Sequence, residues 1–155
     1  MRVLDARGIA YETKTYDASG AFHSADEAAA LLGVGAETVY KTLVVLREGA
    51  ARAKPMLVLA PAGAHIDLKK LANSMGEKKL RMATRREAEH LTGMEAGGIS
   101  ALGLMRPANF DVLIDETARR IETIHISAGV RGVDLAMDVN DFVVAASARY
   151  VREMY

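Results

Sequence analysis

A glycine-rich segment, residues 93–103, and the pair Lys41-Thr42 are the parts of this sequence best suited to chemistry. The segment reads GMEAGGISALG, and its four glycines bring bare backbone amides within reach of a ligand. Lys41 and Thr42 stand at the start of the apolar run Leu43–Leu46, which predicts a buried strand. An ammonium, a hydroxyl and several amides together would form a site for an anion or a carbonyl oxygen.

Each of these features also has a purely structural interpretation. The glycine-rich segment fits a tight turn as well as a ligand cradle, and Lys41 alone fits a solvated lysine at a strand end, with a pKa that would respond to burial. Residues 127–132 fit a hairpin turn or a second ligand-binding loop. Asp134 is predicted to be a solvent-facing strand residue, with a partnership to Lys41 as the alternative. Tyr16 is predicted at the edge of the core.

The composition excludes several kinds of active site. The chain has no cysteine, which rules out disulfides, thiolate zinc sites and a cysteine nucleophile. Segment 97–103 lacks the Gly-Lys-Ser/Thr ending of a P-loop, and Leu102 occupies the second glycine position of a serine-hydrolase elbow around Ser100. The histidines lack the i, i+4 pairing of a metal-binding helix, so we expect no metal and no cofactor. They are His23, His65, His90 and His125.

Charge is balanced overall but uneven along the chain. Twenty basic and twenty acidic residues cancel, so the whole molecule lacks the field of a protein that grips nucleic acid unaided. Between Lys69 and Glu87, however, seven basic residues face two acidic ones. This stretch fits a solvated helical face, and alternatively a phosphate-binding patch. The candidate contacts to tRNA are Lys69, Lys70, Lys78, Lys79 and Arg81.

The length of 155 residues and the 50% hydrophobic content predict one compact domain, residues 1–155, that buries roughly two-thirds of its unfolded surface. No apolar run approaches the ~20 residues of a membrane span, and the start of the chain does not resemble a signal peptide. We therefore expect a soluble, cytoplasmic protein.

The pattern of elements predicts a mixed α/β (α+β) fold. The predicted helices are 2–7, a run ending at Leu32, 68–75 capped by Asp67, 85–92 capped by Thr84, and a final helix from Asn140 to about Glu153. The predicted strands are 9–16, 40–48, 56–60, 79–82, 110–114, 121–126 and 133–137. Strands outnumber the helices between them, which favours a partly antiparallel sheet over a βαβ array.

Five short segments, taken together, resemble one known family. They are 39–44 (VYKTLV), 66–71 (IDLKKL), 92–93 with 97–100 (GGIS), 102–103, and 127–134 (SAGVRGVD). In this order and spacing they resemble the YbaK family, bacterial aminoacyl-tRNA deacylases related to the editing domain inserted in prolyl-tRNA synthetase. The resemblance implies a curved, barrel-like sheet of about six or seven strands with helices packed around it. It also implies hydrolysis of mischarged tRNA.

The resemblance assigns roles to particular residues. The family's functional lysine falls on Lys41, and its glycine motif falls on 97–103, so the catalytic residues implied are Lys41, Gly97, Gly98 and Ser100. The implied substrate-binding residues are Tyr16, Thr42, Ile99, Ala101, Gly103, Ser127, Ala128, Gly129 and Asp134. The family commonly has proline where this chain has Ala101, and the change leaves the loop freer and bears on amino-acid preference.

The resemblance further suggests a substrate that supplies its own nucleophile. In Cys-tRNA(Pro) the cysteinyl thiol can attack its own ester, while the enzyme positions the parts. The implied partners are the acceptor end of tRNA(Pro) and prolyl-tRNA synthetase. The alternatives are a deacylase for Ala-tRNA(Pro) or another small aminoacyl ester, a catalytically silent module that binds tRNA or a synthetase, and a small-molecule or phosphate-binding protein.

Overall fold

Eight strands and five helices make up the regular structure of residues 1–17, 19, 25–49 and 52–155, the part of the chain that this computed structural model describes. The helices are α1 (Arg2–Arg7), α2 (Ala25–Leu32), α3 (Leu68–Met75), α4 (Arg85–Thr92) and α5 (Val139–Ala146). The strands are β1 (Glu12–Thr15), β2 (Tyr40–Arg47), β3 (Met56–Pro61), β4 (Leu80–Met82), β5 (Asp111–Asp115), β6 (Thr123–Ser127), β7 (Val133–Asp138) and β8 (Arg149–Val151).

The strands form two sheets rather than one curved barrel. The larger sheet has the order β4-β2-β3-β5-β8, with β2 antiparallel to β3 and β4, and with β3, β5 and β8 parallel. The smaller sheet is antiparallel, in the order β1-β7-β6. The mixed, partly antiparallel pattern is confirmed. The barrel-like sheet of six or seven strands is not seen in the described residues, where one isolated parallel bridge, Val39–His125, joins the two sheets.

The five-stranded sheet is buried on both faces. All of β3 from Met56 to Ala60 is inaccessible to solvent, which explains its uninterrupted apolar sequence. Leu57 and Leu59 pack in one cluster with residues of the three-stranded sheet such as Ile124. Met56 and Val58 pack on the other face against Leu71 of α3. The smaller sheet therefore covers one face of the larger sheet, and α3 covers the other.

The predicted caps of α3 and α4 are confirmed. The Asp67 carboxylate accepts hydrogen bonds from the amides of Lys69 and Lys70 at 3.0 and 3.1 Å. Thr84 and Glu87 form a reciprocal capping box at the start of α4. Both devices satisfy amides that the first helical turn leaves without intrahelical partners.

The predicted final helix, from Asn140 to about Glu153, was wrong in its cap and its end. Asp138 caps α5 by accepting from the amide of Asp141 at 3.0 Å. The helix stops at Ala146 because Ser147 adopts a left-handed conformation with φ 51°. The chain then forms β8, which pairs with β5. This pairing buries Val151 in the cluster that contains Met56, Val58 and Leu71.

Candidate functional site

A cleft of about 530 Å³ opens where the two sheets meet. It is bounded by the first half of β2, the loop after β3, the glycine-rich segment and residues of the three-stranded sheet. Seven of the residues that the sequence singled out line it. They are Tyr16, Lys41, Thr42, Gly97, Ile99, Ser127 and Asp134.

Lys41 is held in the cleft by backbone. It pairs with Ala60 across the β2–β3 ladder, which places it beside the loop that follows β3. Its ammonium donates a hydrogen bond to the carbonyl oxygen of Ala64 in that loop. Partial burial lowers the pKa of Lys41, and the carboxylate of Asp26 opposes that shift. Lys41 is thus a partly desolvated cation in a fixed position.

The sequence predicted that Asp134 would face solvent, but in the structure its side chain is buried. It lies on β7 between Lys14 of β1 and Ser127 of β6, and it is only 6% exposed because β7 is the central strand of the smaller sheet. Burial raises the pKa of Asp134 to about 6. The cleft therefore contains a carboxyl group that changes charge close to neutral pH.

Tyr16 joins Asp134 on the same wall. It follows β1, and its amide donates to the carbonyl of Gly132 at 2.9 Å. Burial raises the pKa of the Tyr16 hydroxyl, and the charge of Asp134 adds to the effect. The phenol is therefore a neutral hydrogen-bonding group at physiological pH.

Part of the glycine-rich segment lines the cleft, and the rest of it packs into the protein. Gly97 has φ 88°, a left-handed conformation that favours glycine. Gly98 is buried, and its amide donates to the carbonyl of Glu95 at 2.9 Å. Ser100 is fully buried, with its amide 3.5 Å from the sulfur of Met94 and its hydroxyl accepting from the amide of Leu102. The amides of Gly98 and Ser100 therefore have partners within the protein, and Ala96, Gly97 and Ile99 are the residues of the segment that line the cleft.

The predicted site residues Ala101, Gly103, Ala128 and Gly129 do not line the cleft. Residues 127–132 form the β6–β7 hairpin turn, in which the Ser127 hydroxyl accepts from the amide of Gly129 at 3.3 Å and the Ala128 amide donates to Val133. A Cβ at Gly103 would lie 2.8 Å from the sulfur of Met94, so this glycine permits a close contact. Ala101 is buried and lines a second cavity.

Two residues of the cleft were missed from the sequence. Asp26 of α2 and His65 of the loop after β3 both line it. The available signal was the short connection between the predicted strands 40–48 and 56–60, because a hairpin between them puts the residues after β3 beside Lys41. No local pattern marked Asp26, because its place depends on how α2 packs.

Of the other histidines, His125 has a structural position. It is buried at the junction of the two sheets, with Nδ1 3.0 Å from the hydroxyl of Thr38, and burial lowers its pKa. His23 lies outside the described residues. Within the described residues no group of three histidine or acidic side chains is arranged to hold a metal ion.

Ion pairs use part of the basic stretch. Arg81 forms a two-pronged hydrogen bond with Glu87, at 2.8 and 2.7 Å, which lowers the pKa of that carboxyl to about 2. Lys79 lies 3.3 Å from Glu48, and Lys70 lies 3.5 Å from the backbone carbonyl of Tyr155. Lys69 and Lys78 are exposed. No helix in the described part of the chain has the length and apolar character of a transmembrane segment.

Fold and sequence together define the class of this protein. Residues 20–144 match the family described as Aminoacyl-tRNA editing domain. The chain belongs to this family, and its architecture is the α+β fold of the YbaK type.

Particular relatives agree with that assignment. The chain is 30% identical, over 137 residues, to EbsC of Enterococcus faecalis, a "Putative Cys-tRNA(Pro)/Cys-tRNA(Cys) deacylase", covering 88% of this chain and 80% of that one. It is 31% identical over 136 residues to a proline–tRNA ligase of Pediococcus pentosaceus, covering 84% of this chain but only 23% of the ligase. A crystal structure of "a putative trans-editing enzyme for prolyl tRNA synthetase" superposes with a TM-score of 0.83 at 23% identity, covering 99% and 93% of the two chains. At that identity the likeness shows the fold.

Proposed function

We propose that this protein hydrolyses the aminoacyl ester of mischarged tRNA, with Cys-tRNA(Pro) as its main substrate, and that it does so separately from the synthetase that made the error. The observation that carries the proposal is the content of the cleft: a fixed ammonium, hydroxyls and a glycine backbone, with no thiol in the whole sequence. Among the described hydrogen bonds, no serine of the cleft is paired with a histidine. A nucleophile from the substrate completes such a site.

The size and walls of the cleft suit the end of an aminoacyl-tRNA. A volume of about 530 Å³ lies within the usual range for small-molecule sites and has room for a terminal adenosine with a small acyl group. Several wall residues are apolar, among them Ala28, Val39, Ala62 and Ile99. Such walls favour an apolar or weakly polar side chain.

The proposed reaction needs no covalent enzyme intermediate. The cysteinyl sulfur attacks the carbonyl carbon of its own ester, so an S–C bond forms while the C–O bond to the ribose breaks. The proton lost by the thiol goes to the departing ribose oxygen. Water then opens the resulting thiolactone to give free cysteine.

The enzyme contributes positioning and charge. Lys41 would stabilise negative charge on the carbonyl oxygen, and Thr42 and Gly97 would hold the adjoining atoms. Folding the side chain back towards the carbonyl supplies the proximity that the intramolecular attack needs. Asp134 and Tyr16 would orient the aminoacyl group from the opposite wall.

The function explains why such a site exists. The pocket in which a synthetase binds proline rejects smaller amino acids only through lost contacts. A difference of one methylene between two amino acids gives a selectivity of roughly 10 to 200-fold. A separate hydrolytic site adds a second selection step. Loss of the cysteinyl ester restores the tRNA for correct charging.

Deacylation assays test the proposal directly. Cys-tRNA(Pro), Ala-tRNA(Pro) and Pro-tRNA(Pro) are incubated with the native protein, with Lys41→Ala and with Lys69→Ala as the matched exposed-lysine control. We expect rapid loss of the cysteinyl ester, little loss of the others, no activity in Lys41→Ala and full activity in Lys69→Ala. Loss of the alanyl ester instead would move the substrate to Ala-tRNA(Pro), with water as nucleophile. A folded native protein that cleaves none of them overturns the enzymatic proposal.

A further inference from the structure

A second cavity of about 520 Å³ shares the glycine-rich segment with the cleft. The segment lines the cleft at Gly97 and Ile99, and it lines this second cavity at Ala101 and Leu102. Other parts of the second cavity come from α1, the start of β5, the end of α5 and β8. We call it the basic groove, after the lining residues Arg7, Lys54 and Arg149.

Three distant parts of the chain each place one cation on this groove. Arg7 ends α1, Lys54 precedes β3 and Arg149 begins β8. All three residues are exposed, and no described carboxylate pairs with any of them. The guanidinium of Arg7 lies 3.5 Å from the carbonyl of Val144, and that of Arg149 lies 3.8 Å from the sulfur of Met75, so neither charge is neutralised.

The one acidic residue among the described residues lining the groove already has a positively charged partner. Asp111 lines the cavity, but its carboxylate accepts a hydrogen bond from Arg47 at 3.0 Å. Arg47 is further bonded to Glu77 at 2.8 Å and to the carbonyl of Lys54. The net charge presented by the groove is therefore positive.

The interior of the groove is apolar. Leu102, Phe110 and Val112 are buried or half-buried residues of its lining. Cations above an apolar surface match a nucleotide chain, whose phosphates are charged and whose sugars and bases offer apolar faces. In the stretch 69–86, by comparison, Lys79, Arg81 and Arg85 are paired with carboxylates, and Lys69, Lys70 and Lys78 are exposed.

We propose that the basic groove binds backbone phosphates of tRNA through Arg7, Lys54 and Arg149, as a contact separate from the cleft that takes the aminoacyl end. The inference rests on the proposed function in taking tRNA as the substrate. It places the tRNA-binding charges on a concave surface that shares the glycine-rich segment with the cleft, in place of the exposed lysines of α3 and the following turn.

Binding of uncharged tRNA(Pro) tests the groove without requiring hydrolysis. The native protein is compared with the triple variant Arg7→Gln/Lys54→Gln/Arg149→Gln and with the matched control Lys69→Gln/Lys70→Gln/Lys78→Gln, from about 50 to about 200 mM salt. We expect the slope of log affinity against log salt to fall by about 2 to 3 in the groove variant and by less than about 1 in the control. Thermal melting checks that each variant is folded. If the triple variant does not fold, Lys54→Gln alone replaces it, with an expected decrease of about 1 in the slope.

The outcomes separate this inference from the proposed function. Native-like binding by the folded groove variant, greater loss in the control, or no tRNA binding by the native protein overturns the groove assignment. Native-like tRNA binding with loss only of synthetase binding in the groove variant overturns it in favour of a protein partner. Groove-dependent tRNA binding by a native protein that hydrolyses no ester sustains the groove and overturns the deacylase proposal instead.

Discussion

The backbone of Arg131 occupies the space next to Gly98: a Cβ added at Gly98 would lie 2.8 Å from the Arg131 nitrogen and 2.8 Å from the carbonyl carbon of Val130. The glycine-rich segment and the β6–β7 turn therefore touch backbone to backbone. Real Cβ atoms do not approach backbone so closely, so one of the two segments must move if a side chain is present.

We accordingly expect Gly98→Ala to destabilise the fold by about 1 to 3 kcal/mol, as overpacked substitutions do. Urea unfolding measures the change. The matched control is Gly63→Ala, whose Cβ would meet only the Asp26 carboxylate at 3.7 Å and should leave the unfolding midpoint nearly unchanged. Equal stability of Gly98→Ala and the native protein would contradict the close packing.

A second prediction concerns the charge of Lys41. Lys41→Met keeps the length and apolar stem of the side chain but removes the ammonium that is bonded to Ala64. If the ammonium stabilises the oxyanion, kcat should fall by roughly 10² to 10³. Steady-state kinetics on Cys-tRNA(Pro) separate kcat from KM, and Lys78→Met provides the exposed control. Unchanged kcat in Lys41→Met would remove Lys41 from the chemistry.

A third prediction follows from the raised pKa of Asp134, about 6 against 3.8 for an ordinary aspartate. Between these values the folded protein holds a proton that the unfolded chain releases, so rising pH favours unfolding. This one group should lower the free energy of unfolding by about 2 kcal/mol between pH 4 and pH 7.

Asp134→Asn removes that dependence. The stability of the variant relative to the native protein should therefore increase from pH 4 to pH 7, by about 2 kcal/mol if burial alone sets the shift. Urea titrations at several pH values measure it, with the exposed Glu12→Gln on the neighbouring strand as control. A difference between Asp134→Asn and the native protein that stays constant with pH would show that Asp134 is not desolvated.

A fourth prediction concerns a hydrogen-bonded group of side chains that includes Tyr40, a residue lining the cleft. The Tyr40 hydroxyl lies 2.8 Å from that of Thr117, which donates to the carboxylate of Asp115. Tyr155 donates to the same carboxylate at 3.1 Å. Thr117→Val should cost about 1 to 3 kcal/mol, because it leaves the buried Tyr40 hydroxyl without its partner and removes one of the donors to Asp115.

A double-mutant cycle identifies the partner. In a Tyr40→Phe background the same Thr117→Val substitution should cost less, since the phenol that loses its partner is already gone. Thr117→Ser keeps the hydroxyl and is the matched control. The same cost in both backgrounds would show that Tyr40 and Thr117 are not coupled.

Local signals in the sequence predicted local structure well. The caps at Asp67 and Thr84, the stops at Gly76 and Gly93 and the buried run of β3 all depend on residues within one turn or strand. The position of Lys41 at the start of β2 followed from the apolar run Leu43–Leu46. The resemblance then supplied the family, which the match over residues 20–144 confirms.

Features that depend on packing between distant segments could not be predicted in this way. Asp134 is buried because β7 lies between two other strands, and the alternation of β7 alone does not show this. The closeness of Gly98 and Arg131 requires the hairpin turn to be in place. Arg149–Val151 falls within the predicted final helix, yet pairing with β5 makes it a strand.

The junction between the two sheets has a consequence for how amino-acid preference can diverge within such a family. Lys41 and Thr42 belong to the larger sheet, whereas Ser127 and Asp134 belong to the smaller one. In the described residues, the isolated Val39–His125 bridge and the bond from Thr38 to His125 connect the two at this point. Substitutions at Thr38 or His125, which do not line the cleft, would change the separation of the two walls without replacing any lining residue. A lineage can thus acquire a new substrate by altering residues that never touch it.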